Sequence, residues 1–215
     1  MNNSTFKNIE IYKLLVENKG DVNKVDFSVS NWLHLATHLE GFNEEILEIM
    51  AKGMKKSQKN GFNGYNNTPL TNYVCSNKDA SIQMIEKMKK IGFSLNICST
   101  GGKNVLHRFL AKREKFNDLL LYLLDDSNCI DINKIDDFSS RTPLDHSIIS
   151  RNPDNFYCIL AHGANLKFSK NVKIKLKKIL KKNFFLFFFF FLKKNVNNSY
   201  FFFKESQKLG TNTKN

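Results

Sequence analysis

A leucine at the head of a short polar-flanked block returns four times along the chain. Leu33, Leu70, Leu106 and Leu144 stand in Asn31-Trp32-Leu33-His34, Thr68-Pro69-Leu70-Thr71, Asn104-Val105-Leu106-His107 and Thr142-Pro143-Leu144-Asp145. Their near-constant period, about 37 residues, is of the size that marks a structural repeat. An apolar group at helical spacing follows each block: Ile46-x-x-Ile49-Met50, Ile85-x-x-Met88, Leu120-x-x-Leu123-Leu124 and Phe156-x-x-Ile159-Leu160. Several repeats close on a turn: Gly20-Asp21-Val22-Asn23, Gly92-Phe93-Ser94-Leu95-Asn96, Asp131-Ile132-Asn133 and Gly163-Ala164-Asn165-Leu166. Each block predicts an element. Thr before Pro-Leu is a helix start, because Thr caps free N–H groups and Pro has no N–H to lose in the first turn. The i, i+3, i+4 group is the buried stripe of a second, antiparallel helix. Gly then suits a left-handed helix end, and Asp-Val-Asn suits a turn. One such helix pair cannot bury its own apolar face, so neighbours must stack.

Thr142-Pro143-Leu144 with Leu160-Ala161-His162-Gly163-Ala164-Asn165-Leu166 resembles an ankyrin repeat, as do Trp32-Leu33-His34-Leu35-Ala36 and Gly20-Asp21-Val22-Asn23. The resemblance covers residues 6–168. It implies an all-α repeat fold: a solenoid of stacked helix-turn-helix units with β-hairpin-like loops, about four repeats plus an N-terminal half repeat. The spacings exceed the usual repeat of about 33 residues. The excess is expected as insertions around Ser76–Ala80, Lys112–Asn117 and Asp125–Ile130. Tyr73 and Phe109 stand where Ala36 stands in the first repeat, which predicts spread or rotated helices there. Ile9–Val16 reads as a second helix with no first helix before it, so either an N-terminal cap is missing or the chain belongs to a longer product.

Composition divides the chain further. Of 33 Lys+Arg and 20 Asp+Glu, thirteen lysines and one acid, Glu205, lie in 167–215, which leaves 20 basic and 19 acidic side chains for the rest. Ten of the 20 Phe lie between Phe184 and Phe203. The expected organisation is a near-neutral repeat domain over 1–168, a capping or basic amphipathic helix over 169–182, and a low-complexity Phe/Lys/Asn-rich tail over 183–215, read as disordered. Val172, Leu176, Ile179 and Leu180 form a stripe, with Lys173, Lys177, Lys178, Lys181 and Lys182 available to an anionic membrane surface. The run Phe184–Leu192 falls well short of the ~20 residues that a transmembrane helix needs. The lysine cluster also reads as a weak nuclear signal. A neutral body argues against nucleic acid as the partner.

Catalytic spacing is lacking. His34 and His38 are i, i+4, but His-Leu-Ala-Thr-His lacks the Glu of a zinc-protease helix, so His34 and His107 read as packing and hydrogen-bonding residues. His162 sits at a helix end, where positive charge is favourable. Gly101-Gly102-Lys103 is not embedded in a phosphate loop and reads as a hairpin tip with an exposed lysine. No nucleophile elbow, kinase set or paired-Cys metal site occurs. No enzyme activity, metal or cofactor is expected. Cys75, Cys98, Cys129 and Cys158 are far apart and the N-terminus lacks an apolar leader. An intracellular protein, cytoplasmic or nuclear, with free thiols is therefore expected.

The expected function is capture of a protein partner by a monomeric scaffold. The resemblance implies outward hairpin positions at Phe27, Ser28 and Ser30, at Gly64, Tyr65 and Asn67, at Thr100, Gly101 and Lys103, and at Phe138, Ser139 and Arg141. On the first helices it implies His38, Leu39, Cys75, Ser76, Lys112, Ile149 and Ser150. Phe27, Tyr65 and Phe138 are the strongest candidates, because aromatics dominate binding hot spots. Trp32 reads as core. Two other readings compete: a membrane-surface adaptor working through the tail, and a regulatory piece of a larger ankyrin-containing protein or enzyme.

Overall fold

The computed structural model describes residues 3–38, 41–112 and 118–165. Among them are ten α-helices, one short 3-10 turn and no strand, so the chain is helical, as the apolar spacing predicts. The predicted helix over 169–182, the tail over 183–215, and with them Lys173, Lys177, Lys178, Lys181 and Lys182, lie outside the described residues. Two compact units are distinguished. Of the described residues, the first holds those up to Phe109 together with Asp125–Asp131, and the second holds those of Leu110–Leu124 and those from Ile132 to Asn165.

In the first unit the helices are α1 (Asn3–Glu17), α2 (Trp32–Ala36), α3 (Glu44–Lys52), α4 (Lys56–Lys59), α5 (Pro69–Ser76) and α6 (Ile82–Ile91), with most of α7 (Val105–Ala111). Helix α1 packs on α3, α3 on α6, α2 on α3 and α5, and α5 on α6. Leu33, Leu70 and Leu106 are fully buried, as are Leu47, Met50, Ile85 and Met88 of the second helices. Lys13 pairs with Glu45, and Lys87 with Glu44 and Glu48. These ion pairs are solvent-facing and add little.

Apart from α4, whose start at Lys55 has no side-chain cap, the helix starts from α2 to α7 follow one design. Asn31 caps α2 by accepting from the His34 N–H (3.0 Å), and His34 Nδ1 accepts from the Asn31 N–H (3.2 Å). Asn104 and His107 repeat this arrangement at α7, with both distances 3.2 Å. At α5, Thr68 Oγ1 accepts from the Thr71 N–H (3.1 Å), and Pro69 occupies the first turn. These caps satisfy N–H groups that the helix itself leaves orphaned. Asn43 and Ser81 likewise cap α3 and α6, and Gly92 ends α6 in the left-handed region (φ 106°).

A second polar device recurs. Asn23 Nδ2 donates to Gly53 O (3.0 Å) while its Oδ1 accepts from the Lys55 N–H (2.7 Å). Asn60 does the same with Gly92 O and the Ser94 N–H, both at 2.9 Å. Each asparagine thus clasps backbone 30–34 residues downstream and satisfies a carbonyl and an amide together. Asn96 departs from the pattern: its Oδ1 accepts from Ser94 Oγ instead (2.5 Å).

In the second unit α8 (Asp118–Leu123) precedes α9 (Pro143–Ile149) and α10 (Pro153–Ala161), and α9 packs on α10. Thr142 and Asp145 form the reciprocal cap of α9, with Pro143 in its first turn, and Asn152 caps α10. Leu144, Ile148 and Ile159 are fully buried. Asn133 clasps Gly163 O (3.5 Å) and the Asn165 N–H (2.6 Å), as Asn23 and Asn60 do in the first unit.

Loops stand at two of the three places where added length is expected, and the third, Lys112–Asn117, lies mostly outside the described residues. The Asn77–Ser81 loop follows α5, and Asp126–Asn128 forms the 3-10 turn. Helix α4 is a further extra turn, placed ahead of Asn60. Tyr73 directs its bulk toward the loop that follows α5. It is buried against Phe42 (ring centroids 5.5 Å apart), its hydroxyl accepts from the Ser81 N–H (3.0 Å), and it donates to Asp79 O (3.4 Å). The ring fills the space under the inserted loop and its hydroxyl anchors it.

Candidate partner-binding surface

A hairpin precedes each of α2, α5, α7 and α9, and in all but the third a side chain at its first position holds the turn. In the first, the Asp26 N–H donates to Ser30 O and the Val29 N–H to Asp26 O, both at 3.0 Å. Asp26 Oδ1 accepts from Ser28 Oγ (2.7 Å), the Ser28 N–H (2.8 Å) and the Ser30 N–H (2.9 Å). The Ser28 hydroxyl and then the Ser30 amide hold this carboxyl below the usual carboxylate range. In the second hairpin the Asn63 N–H donates to Asn67 O (3.0 Å), and Asn63 Oδ1 accepts from the Tyr65 and Asn67 N–H groups at 3.0 Å. The third closes with the Ser99 N–H on Lys103 O (2.9 Å). The hairpin of the second unit closes with the Asp136 N–H on Arg141 O (2.9 Å), and Asp136 Oδ1 accepts from the Phe138 (3.1 Å) and Ser139 (2.6 Å) N–H groups. Asp and Asn at the first position make these side-chain turns. A left-handed residue completes each: Val29 (φ 57°), Asn66 (57°), Gly102 (71°) and Ser140 (49°). Val29 is β-branched, so its backbone there is strained.

The first three hairpins touch one another in sequence order. The Gly64 N–H donates to Ser28 O (2.5 Å), Asn63 Nδ2 donates to Ser30 Oγ (3.3 Å), and Thr100 Oγ1 donates to Asn66 Oδ1 (2.8 Å). A Cβ on Gly64 would lie 2.9 Å from Ser28 O, a backbone atom that cannot rotate away. Gly64→Ala is therefore expected to push the second hairpin off the first and to lower stability by about 1–2 kcal/mol. An unchanged thermal midpoint would contradict this close approach.

The candidate contact residues divide sharply by exposure. Phe27 is fully exposed, Tyr65 71% and Phe138 81%. Val25 and Val29 flank Phe27 and are also exposed. By contrast, Ser30 is a correction: it is 4% exposed and its hydroxyl is occupied by Ser28 and Asn63, so it is not an outward position. Gly101, Cys75 and Ser150 are likewise buried. Asn67 is half-buried, with its carbonyl accepting from His34 Nε2 (2.8 Å) and from the Asn63 N–H. Lys103 is half-buried rather than exposed at a tip, and Lys112 and Arg141 are half-buried too. Leu39 lies outside the described residues. Trp32 is half-buried, with its ring edge where a Cβ on Gly20 would sit.

Arg108 joins this surface without any sequence pattern to mark it. It follows His107 on α7 and reaches back to the second hairpin, donating from Nη2 to Asn66 O (2.7 Å) and Tyr65 O (3.0 Å). Burial pushes its guanidinium pKa down. Two places after Leu33 and Leu70, as Arg108 is after Leu106, stand Leu35 and Asn72, so nothing recurs there.

Among the described residues no group of three or more His, Cys, Asp and Glu is placed to hold a metal ion, and no helix is long and apolar enough to cross a membrane. His34 lies in a hydrogen-bonded pocket between Asn31 and Asn67. No protein-family model matches the chain, and no curated protein matches it.

Proposed function

We propose that the protein is a non-catalytic binding module of the ankyrin-repeat kind, which captures a protein partner inside the cell through its hairpins and first helices. The observation that carries this reading is the division of labour within the hairpins. The side-chain oxygens of Asp26, Asn63 and Asp136 are spent on amides of their own turns, while Phe27, Tyr65 and Phe138 are left in solvent. Large rings held on rigid turns with little conformational freedom are what a hot spot requires. The recurring Asn or Thr caps and the asparagine clasps support the repeat reading. The caps serve the helix starts of their own segment, and the clasps of Asn23, Asn60 and Asn133 tie each to chain that lies further along.

The test is capture by the full chain from extracts of its source cells. Changing Phe27, Tyr65 and Phe138 together to Ser is expected to weaken capture of a specific partner by about tenfold or more, an effect on the order of hot-spot loss. Helical circular dichroism and the thermal midpoint should be unchanged, since all three rings are already in water. Undiminished capture by the triple variant would remove these residues from the binding surface.

A further inference from the structure

The hairpins and first helices in the middle of the first unit carry no carboxylate. Residues 63–76 and 99–111 contain no acid, and their Lys and Arg are Lys103 and Arg108 alone. Arg108 is half-buried. Both protons of its Nη2 are used on the Tyr65 and Asn66 carbonyls, which fixes the plane of the guanidinium against the second hairpin. The protons on Nε and Nη1 meet no acceptor among the described residues, and no carboxylate there neutralises the group. A guanidinium held partly out of water with no counter-ion carries a desolvation penalty that an arriving anion relieves. Beside it, the hairpin that it grips exposes the Tyr65 ring.

From this we propose that Arg108 is the anchor of a carboxylate subsite: a partner peptide places an Asp or Glu side chain on the Nη1 protons and an adjacent apolar residue on Tyr65. This rests on the reading above, that the hairpins bind a protein. A single fixed guanidinium balances one negative charge, and the hydrogen bond it makes is charge-assisted and position-specific. A dianionic phosphate calls for a cluster of arginines, which the described surface does not have. The subsite sits on elements whose own geometry is held internally, so little ordering is required when the peptide arrives.

The experiment uses the full chain and a defined set of short synthetic peptides with apolar flanks, each made with Glu, with Gln and with phosphoserine at one central position. Binding is read by fluorescence anisotropy. The expected result is that glutamate members bind about tenfold or more tightly than their glutamine twins, and that Arg108→Gln abolishes the difference. The glutamate–glutamine comparison is made on the unaltered chain, so it decides the matter even if Arg108→Gln does not fold. Equal binding of the twins, a glutamate preference that survives Arg108→Gln in a folded protein, or phosphoserine members that outbind glutamate by about tenfold would each overturn the carboxylate subsite. Peptides that bind without a glutamate preference, and are lost in the Phe27, Tyr65 and Phe138 triple variant, would overturn the subsite alone. Failure of every peptide to bind would count against both the subsite and the hairpin surface.

Discussion

Leu70→Ala is expected to cost the protein about 3 kcal/mol. Leu70 is fully buried on α5, which packs on both α2 and α6. Truncation there removes transfer free energy and leaves a cavity that rigid helices on two sides cannot close, which is why large-to-small changes in such places cost about 2–5 kcal/mol. In a chain of this length that corresponds to a fall of roughly 10 °C in thermal midpoint. Urea unfolding followed by helical circular dichroism measures it. Leu35→Ala is the control, because Leu35 is one of the exposed apolar residues. Its change should stay within about 0.5 kcal/mol. A Leu70 effect no larger than the Leu35 effect would contradict the burial that organises the first unit.

The second large effect concerns His34. In the tautomer with its proton on Nε2, the ring donates to Asn67 O and accepts from the Asn31 N–H at Nδ1. Both nitrogens are satisfied in the neutral ring, and burial pushes the pKa below its ordinary value. His34→Ala leaves the Asn31 N–H buried without its acceptor and opens a void. Asn67 O keeps the Asn63 N–H, so only one orphan results. The expected loss is about 2 kcal/mol. The pH dependence follows from the direction of the shift. The unfolded chain binds a proton near the ordinary histidine pKa of about 6.5, and the folded chain resists it to lower pH. The stabilisation is complete above that value and is lost as pH falls from it toward the folded-state pKa. Stability should therefore be level from neutral to mildly basic pH and decline below about 6.5, less steeply in His34→Ala. A decline of equal steepness in both proteins would show that His34 is not the titrating group.

The helical character and the helix starts are legible in the sequence because they rest on local rules. Thr-Pro-Leu at Thr68 and Thr142, and Asn-x-Leu-His at Asn31 and Asn104, each satisfy orphan amides close by in the chain, and such short-range chemistry leaves a motif. The buried leucines are legible for the same reason: burial imposes a period. Interactions between distant parts of the chain leave a weaker trace. Asn60 is not recognisable as the counterpart of Asn23, because helix α4 stands where a Gly-x-x-Asn turn would otherwise be. Arg108 is invisible because its contacts are to backbone carbonyls of another hairpin, and a carbonyl carries no sequence identity. Ser30 reads wrongly as outward for a related reason. A serine is equally at home in water and in a buried hydroxyl network, and here Ser28 and Asn63 supply the network. Tyr73 is accommodated by the loop after α5, which provides the backbone groups that its hydroxyl needs.

The asparagines around the second hairpin have a chemical fate as well as a structural one. Asn60-Gly61 and Asn63-Gly64 are Asn-Gly pairs, the sequence most prone to spontaneous deamidation, in which the glycine nitrogen attacks the side-chain carbonyl. Here both partners of that attack are occupied. Asn60 is held by Gly92 O and the Ser94 amide, and the Gly61 N–H donates to Gln58 O (3.4 Å). Asn63 accepts two amides, and the Gly64 N–H donates to Ser28 O. Ageing at these positions must then wait for the hairpin and its clasp to open, so accumulated aspartate at Asn60 and Asn63 is a slow clock of local unfolding in the first unit. Once formed, an aspartate at position 60 can no longer donate to Gly92 O, and the opening that allowed the reaction becomes easier to repeat.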